Sequence, residues 1–570
     1  MSSAKSIDAD YIIVGGGSSG CVLAARLTED PAVKVILLEA GMDAARPEDF
    51  PDLASPYPGI AYSNPRYTWD GLKASLPYSG SNRPEGNAKR YEQARVLGGG
   101  SAINGIGANR GAPSDYDEWG EMGIRGWSWK ECLPYFKKLE RDLDFDNDLH
   151  GRTGPFPIRR RGDVIWTPFT RAMLDVCARR GIPFLPDQNG RWEDGTFEMA
   201  VNMDEQCRRV SAAWAYLTPE VRRRPNLDIR TETTVSRIIM VAGRAEGVLA
   251  RRGGQQETLR AHRIVMCAGA LATPAILMRS GIGPSAHLAD CGIETTHHLP
   301  GVGQNLMEHP SSGLVPFLKS SARQKGKPDY HIPIGYRFSS GLEGCPAGDM
   351  HMNFVTRAAW HPVGRQLGSV FFWVNKSYSR GQLLLDPSSP DGPPRIDFRM
   401  LSDRRDLIRL ADAFERAVSL ATDPTLKSVV SGLYAGGMSE FGKRFSKQTT
   451  FGALVTGIGA LGIDMIGRFR DRAFPYMLAN FDDPRRLAAN RDELERYISE
   501  TVGGVWHPSC TCRMGPDGDR MAVTDSRGKV RGLDGLYISD ASVMPTIPCA
   551  NTNLPTIMIA EKMADGLKQG

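Results

Sequence analysis

The chain has 570 residues, 41% of them apolar and 24% charged, with 70 Lys and Arg against 65 Asp and Glu. Such a length suits two large domains rather than one. The composition excludes a disordered, collagenous or coiled-coil chain, and a net charge of +5 over this length gives no basic face for nucleic acid. The ten cysteines form no paired framework and no apolar h-region opens the chain, which predicts reduced thiols in a cytoplasmic protein. Cys510 and Cys512 make a C-x-C pair, but no second pair at ligand spacing accompanies them, so no metal site is predicted.

The first forty residues read as strand, turn, helix and strand. Residues 11–14 form a short buried strand, 21–29 a helix and 33–38 a second buried strand. Between the first strand and the helix, Gly15, Gly17 and Gly20 form G-x-G-x-x-G around Ser18 and Ser19. The first glycine permits the tight turn, the second lets backbone approach a pyrophosphate, and the third lets helix pack on sheet. Helix N–H groups then face the phosphates. Glu39 ends the second strand, 19 residues past Gly20, where it accepts hydrogen bonds from a ribose diol. The motif predicts a dinucleotide without separating NAD from FAD.

Further along, strands are expected at 227–230, 235–241, 245–251 and 263–267. Thr273 and Pro274 read as N-cap and first residue of a helix that Gly281 stops. Residues 311–400 are strand-like, 401–421 form a helix with Leu407, Leu410, Ala411, Phe414 and Ala417 on one face, and the chain ends in a strand at 536–539 and a helix at 555–567 capped by Asn553. The alternation predicts two domains interleaved in sequence. Gly98, Gly99 and Gly100 carry no side chain beyond Cα, so backbone can lie there against a flat ring.

Several long segments occur in order: ARVLGGGSAINGIGANRG at 94–111, GALATPAILMRSGIG at 269–283, VGQNLMEH at 302–309, WHPSCTCRMG at 506–515, SDASVMP at 539–545, NTNLP at 551–555 and IAEK at 559–562. Together they resemble the glucose–methanol–choline (GMC) flavin oxidoreductases, nearest in texture to choline dehydrogenase-like and aryl-alcohol or hydroxymethylfurfural oxidase-like members. The resemblance implies an α/β (α+β) fold. A Rossmann-like FAD-binding domain (1–155, 200–310 and 495–570) is interleaved with a substrate domain (156–199 and 311–494) built on an antiparallel sheet flanked by helices. It implies FAD held by Gly15, Gly17, Ser18, Ser19, Gly20, Glu39 and Ala40, and by Arg95, Leu97, Gly98, Gly99, Ser101, Asn104 and Gly105. Val235, Ala268, Gly269, Trp506, Asp540, Ala541, Asn551, Asn553 and Pro555 complete the set. Some relatives carry a covalently attaching His just before the flavin-loop Asn; Ile103 stands there, so FAD is expected to be non-covalent.

Flavin-dependent alcohol oxidation needs a base for the hydroxyl proton and a donor that holds the oxygen. The resemblance puts His507 and Asn551 in these roles, with Asn unable to exchange roles with the base. His309 reads as structural. Relatives usually have Gly where Cys510 stands; if that position needs positive φ, Cys is strained and open to oxidation. The expected reaction is oxidation of a hydrophobic or aromatic primary alcohol, suggested by Trp506, Phe371, Phe372 and Trp373, with O2 or a quinone-type compound as acceptor. The alternative is non-redox flavin chemistry on the same fold, as in a hydroxynitrile lyase or decarboxylase.

One apolar run, residues 448–463, is too short to span a membrane. Lys443, Arg444 and Lys447 precede it, and Arg468, Arg470 and Arg472 follow. The expectation for 430–480 is an extra helix or lid folded on the substrate domain and narrowing access to His507; contact of 443–472 with a membrane surface is the less favoured reading.

Overall fold

The computed structural model describes residues 7–78, 88–161, 166–326, 330–438, 449–465 and 478–569. Five parallel strands form the first sheet, in the order Leu227–Arg230, Val35–Leu38, Ala9–Val14, Gln255–Met266 and Leu536–Ile538. Val35–Leu38 is buried along its whole length, as layers on both faces of a parallel sheet require. Gln255–Met266 is longer than the sequence pattern indicates. Its polar first half leaves the parallel sheet and pairs antiparallel with Arg244–Arg252, which pairs in turn with Thr233–Val241.

The helix Ser18–Leu27 starts three residues earlier than expected, with Gly17 as its N-cap. It packs against the C-terminal helix Asn553–Lys568, where Arg26 pairs with the buried Glu561 at 2.8 Å. A Cβ on Gly20 would lie 1.9 Å from the Gly15 carbonyl oxygen, so the close passage of helix over turn requires glycine there.

A second sheet has eight strands. Leu478–Asp482, Val430–Met438, Ser311–Leu318, Ser369–Val374, Met350–Val355, Ile334–Phe338 and Gly195–Glu198 follow one another antiparallel, and Phe184–Leu185 closes the sheet in parallel. The helix Arg404–Ala421 covers one face with Leu410, Ala411, Phe414 and Ala417. Phe372 turns to that helix and meets Phe414 at 6.1 Å, while Phe371 and Trp373 point to the opposite face, as strand alternation demands. Phe372 therefore belongs to the core and not to a substrate wall.

The run near 450 is the helix Thr450–Met465. Ala460 and Ile463 pack into a cluster with Phe317, Val363, Leu367, Tyr434 and Leu478. The strand Ser311–Leu318 begins beside Gly503, near His507, and Phe317 lies six residues along it, about 20 Å away. The helix does fold on the second sheet, but at the end remote from His507. Lys443, Arg444, Lys447, Arg468, Arg470 and Arg472 lie outside the described residues.

Candidate active site

The glycine turn and the 97–105 loop form one cradle. Gly15 has φ +105°, and a Cβ on it would lie 2.5 Å from the Cys267 carbonyl oxygen. Gly98 N–H donates to the Gly16 carbonyl at 2.7 Å, Gly99 sits directly over Gly17, and Leu97 closes on Gly16. Glu39 accepts from Gly16 N–H at 2.9 Å and Gly41 N–H at 2.7 Å; burial pushes its carboxyl up to about 7. Arg95 donates to the Ala40 carbonyl at 3.2 Å and stacks over Trp69. Side chains added at Gly100, Gly105 or Gly269 would project into open space.

Two predicted caps are displaced. Ala272, not Thr273, is the N-cap of Thr273–Arg279. The Thr273 hydroxyl donates instead to Asp540 Oδ2 at 2.6 Å, which also accepts Gly269 N–H at 2.9 Å. Asp540 Oδ1 accepts Ser542 N–H at 2.8 Å, which caps the turn that Ala541 opens. Likewise Thr552 precedes the C-terminal helix. Asn553 is its first residue, and its Oδ1 accepts the Ser18 hydroxyl at 2.8 Å, tying this helix end to the glycine turn. Pro555 is buried in the first turn.

Several expected cofactor residues hold the cradle's shape. Ser101 Oγ donates to the Gly98 carbonyl at 2.6 Å and accepts Ala212 N–H at 2.8 Å. Asn104 Oδ1 accepts Ile106 N–H at 3.0 Å and Arg209 at 2.8 Å. Ser19 Oγ donates to the Ser539 carbonyl. Val235 stands where the antiparallel ladder slips before Arg237, and Ala268 precedes Gly269, whose φ is +84°. Ile103 is buried among Leu53, Tyr67 and Val96.

His507 and Asn551 meet as expected: Asn551 Nδ2 lies 3.0 Å from His507 Nε2. Asn551 N–H donates to Asn109 Oδ1 at 2.9 Å. Behind the imidazole stands His309, whose Nδ1 is 2.9 Å from His507 Nδ1 and whose Nε2 is 3.1 Å from the Pro548 carbonyl. A carbonyl only accepts, so His309 Nε2 carries a proton. Burial holds His309 neutral, well below the usual histidine range, with His507 adding to the effect. Its Nδ1 is therefore bare and accepts from His507 Nδ1–H, which leaves His507 Nε2 bare and facing the Asn551 amide. Burial also pushes His507 down to about 3, so it stands as free base. His309 is thus more than structural. Its signal in sequence was the run Glu308-His309, which nothing in one sequence connects to residue 507.

Glu308 completes the arrangement. Its Oε2 accepts His507 N–H at 2.7 Å and the Tyr91 hydroxyl, and its Oε1 accepts His309 N–H at 2.8 Å. Burial raises its carboxyl to about 7. Glu308, His309 and His507 each place a ligand-type atom within 4.8 Å of the others, but those atoms are engaged with one another and with backbone.

Cys510 has φ +73°, the left-handed conformation that favours glycine. It is buried, its Sγ lies 3.3 Å from Ser509 Oγ, and burial pushes the thiol up to about 12. The expected oxidation sensitivity does not follow, because a buried protonated thiol is inert. Trp506 is half exposed; its indole stacks with Tyr91 and donates to Glu92 Oε2 at 3.2 Å. On the inner side, Trp373 stacks on His351 at 4.1 Å and is tilted against Phe371.

The family model for the N-terminal part of GMC oxidoreductases matches residues 9–311, and that for the C-terminal part matches 377–560. The chain belongs to the GMC oxidoreductase family. This GMC oxidoreductase is 39% identical over 568 residues to 5-(hydroxymethyl)furfural oxidase of Methylovorus sp. (strain MP688), covering 98% of both chains. It is 33% identical to oxygen-dependent choline dehydrogenase 1 of Chromohalobacter salexigens, covering 98% of this chain and 94% of that one. Pyridoxine 4-oxidase from Mesorbium loti superposes with a TM-score of 0.79 at 27% identity, over 99% of this chain and 100% of that one. The cofactor of this GMC oxidoreductase is FAD. The cradle fits it: Gly100, Gly105 and Gly269 leave room, and Asn551 Oδ1 and Asn553 Nδ2 are buried polar atoms without a protein partner.

Proposed function

We propose that this chain oxidises a small primary alcohol, borne on an aromatic or otherwise hydrophobic group, to the aldehyde. The observation that carries the reading is the bare Nε2 of His507, fixed by His309 and set against an amide donor of Asn551. An alcohol hydroxyl brought there meets a proton acceptor and an N–H donor together. His507 takes the hydroxyl proton, and Asn551 steadies the oxygen as charge develops on it. FAD, when bound, supplies the acceptor for the hydride that leaves the carbinol carbon. The proton taken up on His507 Nε2 makes an imidazolium whose Nδ1–H stays held by His309 Nδ1 at 2.9 Å.

We assign FAD binding to the cradle of Gly15, Gly17, Gly20, Gly98 and Gly99, with Glu39 at the ribose and Asp540 ordering the turn by the phosphates. The surrounding segments 1–155, 200–310 and 495–570 form the FAD domain. Ile103, buried in apolar surroundings, supports non-covalent attachment. Trp506, Tyr91, Phe371 and Trp373 support aromatic alcohols, as does the printed name of the 39% identical relative. Glu92 beside Trp506 favours a second class, quaternary-ammonium alcohols, since aromatic faces with a carboxylate suit such cations. The electron acceptor is O2 or a quinone-type compound. The free cysteines, most of them buried, suit the cytoplasm.

The test mixes purified protein anaerobically with aryl, alkyl and quaternary-ammonium alcohols while flavin absorbance is followed. Aryl alcohols should bleach the flavin, His507→Ala should abolish bleaching with FAD still bound, and acid should release free FAD. Near-normal bleaching in His507→Ala refutes the assignment, and flavin retained by denatured protein refutes non-covalent attachment.

A further inference from the structure

On the inner face of the eight-stranded sheet two polar side chains stand among aromatic ones. Strand alternation puts Met352 on the side of Phe372, and His351 and Asn353 on the side of their register partners Trp373 and Phe371. Both are buried, 2% and 5% exposed. His351 stacks on Trp373 at 4.1 Å and meets Phe197 at 5.7 Å. Polar groups in such a wall need partners, and these two satisfy each other only in part. His351 Nε2 lies 3.0 Å from Asn353 Oδ1. Among the described residues, His351 Nδ1 and Asn353 Nδ2 have no protein partner, and neither atom is sealed in the interior, so both open onto space beside the wall.

The pair is neutral and fixed in character. Burial pushes His351 down to about 3 against the Asn353 bond, with the charges of Arg337 and His507 adding to the effect. With Nε2–H donated to Asn353 Oδ1, ring Nδ1 is a bare acceptor and the amide keeps its N–H donors. With the amide turned the other way, Nδ1–H donates and the amide oxygen accepts. In either arrangement the pair presents one donor and one acceptor side by side, the complement of a hydroxyl. Arg337, across from His351 in the sheet, is engaged with the carbonyls of Glu193 and Gln188, which leaves the pair to act as an uncharged site.

The pair faces the candidate active site. A Cβ on Gly335, the register partner of Asn353, would lie 2.9 Å from Met199 Sδ. One on Gly107 would lie 3.7 Å from Met199 Cε and 3.0 Å from Asn551 Oδ1. A single methionine side chain therefore bridges from the pair toward Asn551. Trp373 Nε1–H donates to Asn375 Oδ1 at 3.1 Å, and Asn375 Nδ2–H donates to the Cys549 carbonyl at 3.2 Å, two residues before Asn551. Ser311, two residues past His309, pairs with Trp373, so two strand spacings, about 10 Å, separate it from His351. That gap accommodates one aromatic ring with a substituent at each end. Resting on the reading that His507 and Asn551 act on an alcohol, we propose that His351 and Asn353 hold a second hydroxyl of the substrate, whose class is then an aromatic diol with hydroxyls at opposite ends of the ring. One hydroxyl goes to His507 and Asn551, and the other donates to and accepts from the pair. An apolar substituent in its place strands both polar atoms, which is how the site discriminates.

The test is anaerobic flavin reduction in the FAD-loaded full chain by para-bis(hydroxymethyl)benzene and by para-methylbenzyl alcohol, which lacks the second oxygen. Para-(methoxymethyl)benzyl alcohol, which accepts but cannot donate, is the third substrate. The second-order rate constant of flavin reduction should be at least about tenfold higher for the diol than for the methyl compound, with the ether between. His351→Leu and Asn353→Leu should each bring that ratio toward one at full FAD content, and His351→Gln should restore part of it. A merely structural loss acts on both substrates alike and leaves the ratio unmoved. A wild-type ratio near one overturns the inference while the proposed oxidation stands, and so does a ratio unchanged in both leucine variants. If none of the three alcohols reduces the flavin, the proposed oxidation itself fails and this inference fails with it.

Discussion

Replacing His309 tests the tautomer on which the proposed chemistry rests. In the native arrangement His309 Nδ1 accepts from His507 Nδ1–H at 2.9 Å while its own Nε2–H is held by the Pro548 carbonyl. His309→Leu removes the acceptor and leaves His507 Nδ1–H buried without a partner, which costs about 1–3 kcal/mol. The imidazole escapes that cost by moving its proton to Nε2. Asn551 then rotates its amide so that Oδ1, unpartnered in the native state, accepts from it. The escape leaves no lone pair toward the alcohol. The same 1–3 kcal/mol therefore becomes a loss of about 5- to 150-fold in the rate of flavin reduction. His309→Asn keeps an acceptor oxygen near the position of Nδ1 and should recover much of the rate. The assay is anaerobic stopped-flow with one alcohol, FAD content being checked for each variant. Reduction within twofold of wild type in His309→Leu refutes the reasoning, as does a His309→Asn variant no faster than His309→Leu.

Two further predictions concern stability and reactivity. His150 lies 2.9 Å from Asp142 and 2.8 Å from Asp187, with Glu140 also in contact; burial opposes its charge, but these acids outweigh burial and raise it to about 10. A raised histidine stabilises fully below its unfolded value near 6.5 and loses that contribution as pH rises to about 10. The Tm gap between wild type and His150→Gln should therefore shrink between pH 7 and 10.5, and a constant gap refutes the imidazolium. Cys510, buried with its thiol pushed up to about 12, should escape alkylation by iodoacetamide in native protein at pH 8 and react only after unfolding; native labelling mapped to Cys510 by mass spectrometry refutes its burial.

The parts legible in the sequence were those whose chemistry is local. The glycine turn could be read because Gly15 and Gly20 have steric reasons that act within a few residues, and the strands around it because they are continuously apolar. The doubled strand Gln255–Met266 was half missed, since its antiparallel portion is polar at the surface and apolar only by alternation. The caps at Thr273 and Asn553 were misplaced by one residue because each side chain is recruited by a distant partner, Asp540 and Ser18. Propensity favours the local bond; the fold offers a better one. Strand phase is not visible in three consecutive aromatics, so the sequence does not separate Phe372, which packs on Phe414, from Phe371 and Trp373 on the other face. His309 depends on contacts across 198 residues, beyond any spacing rule.

The same distance explains why the candidate site needs both of its long-range partners. A histidine buried alone is neutral but free to carry its proton on either nitrogen, and a neighbouring amide does not choose for it, because an amide both donates and accepts. The Pro548 carbonyl does choose, being an acceptor only. It sets the proton on His309 Nε2, His309 then accepts at Nδ1, and the choice passes to His507 and on to Asn551 through three hydrogen bonds of 3.1, 2.9 and 3.0 Å. Glu308 holds the two histidines in this order through their backbone N–H groups, so the direction of the chain of protons is fixed by groups that never touch the alcohol. Asn551 is the last member, and its donor face is turned toward the base only because everything behind it is already decided.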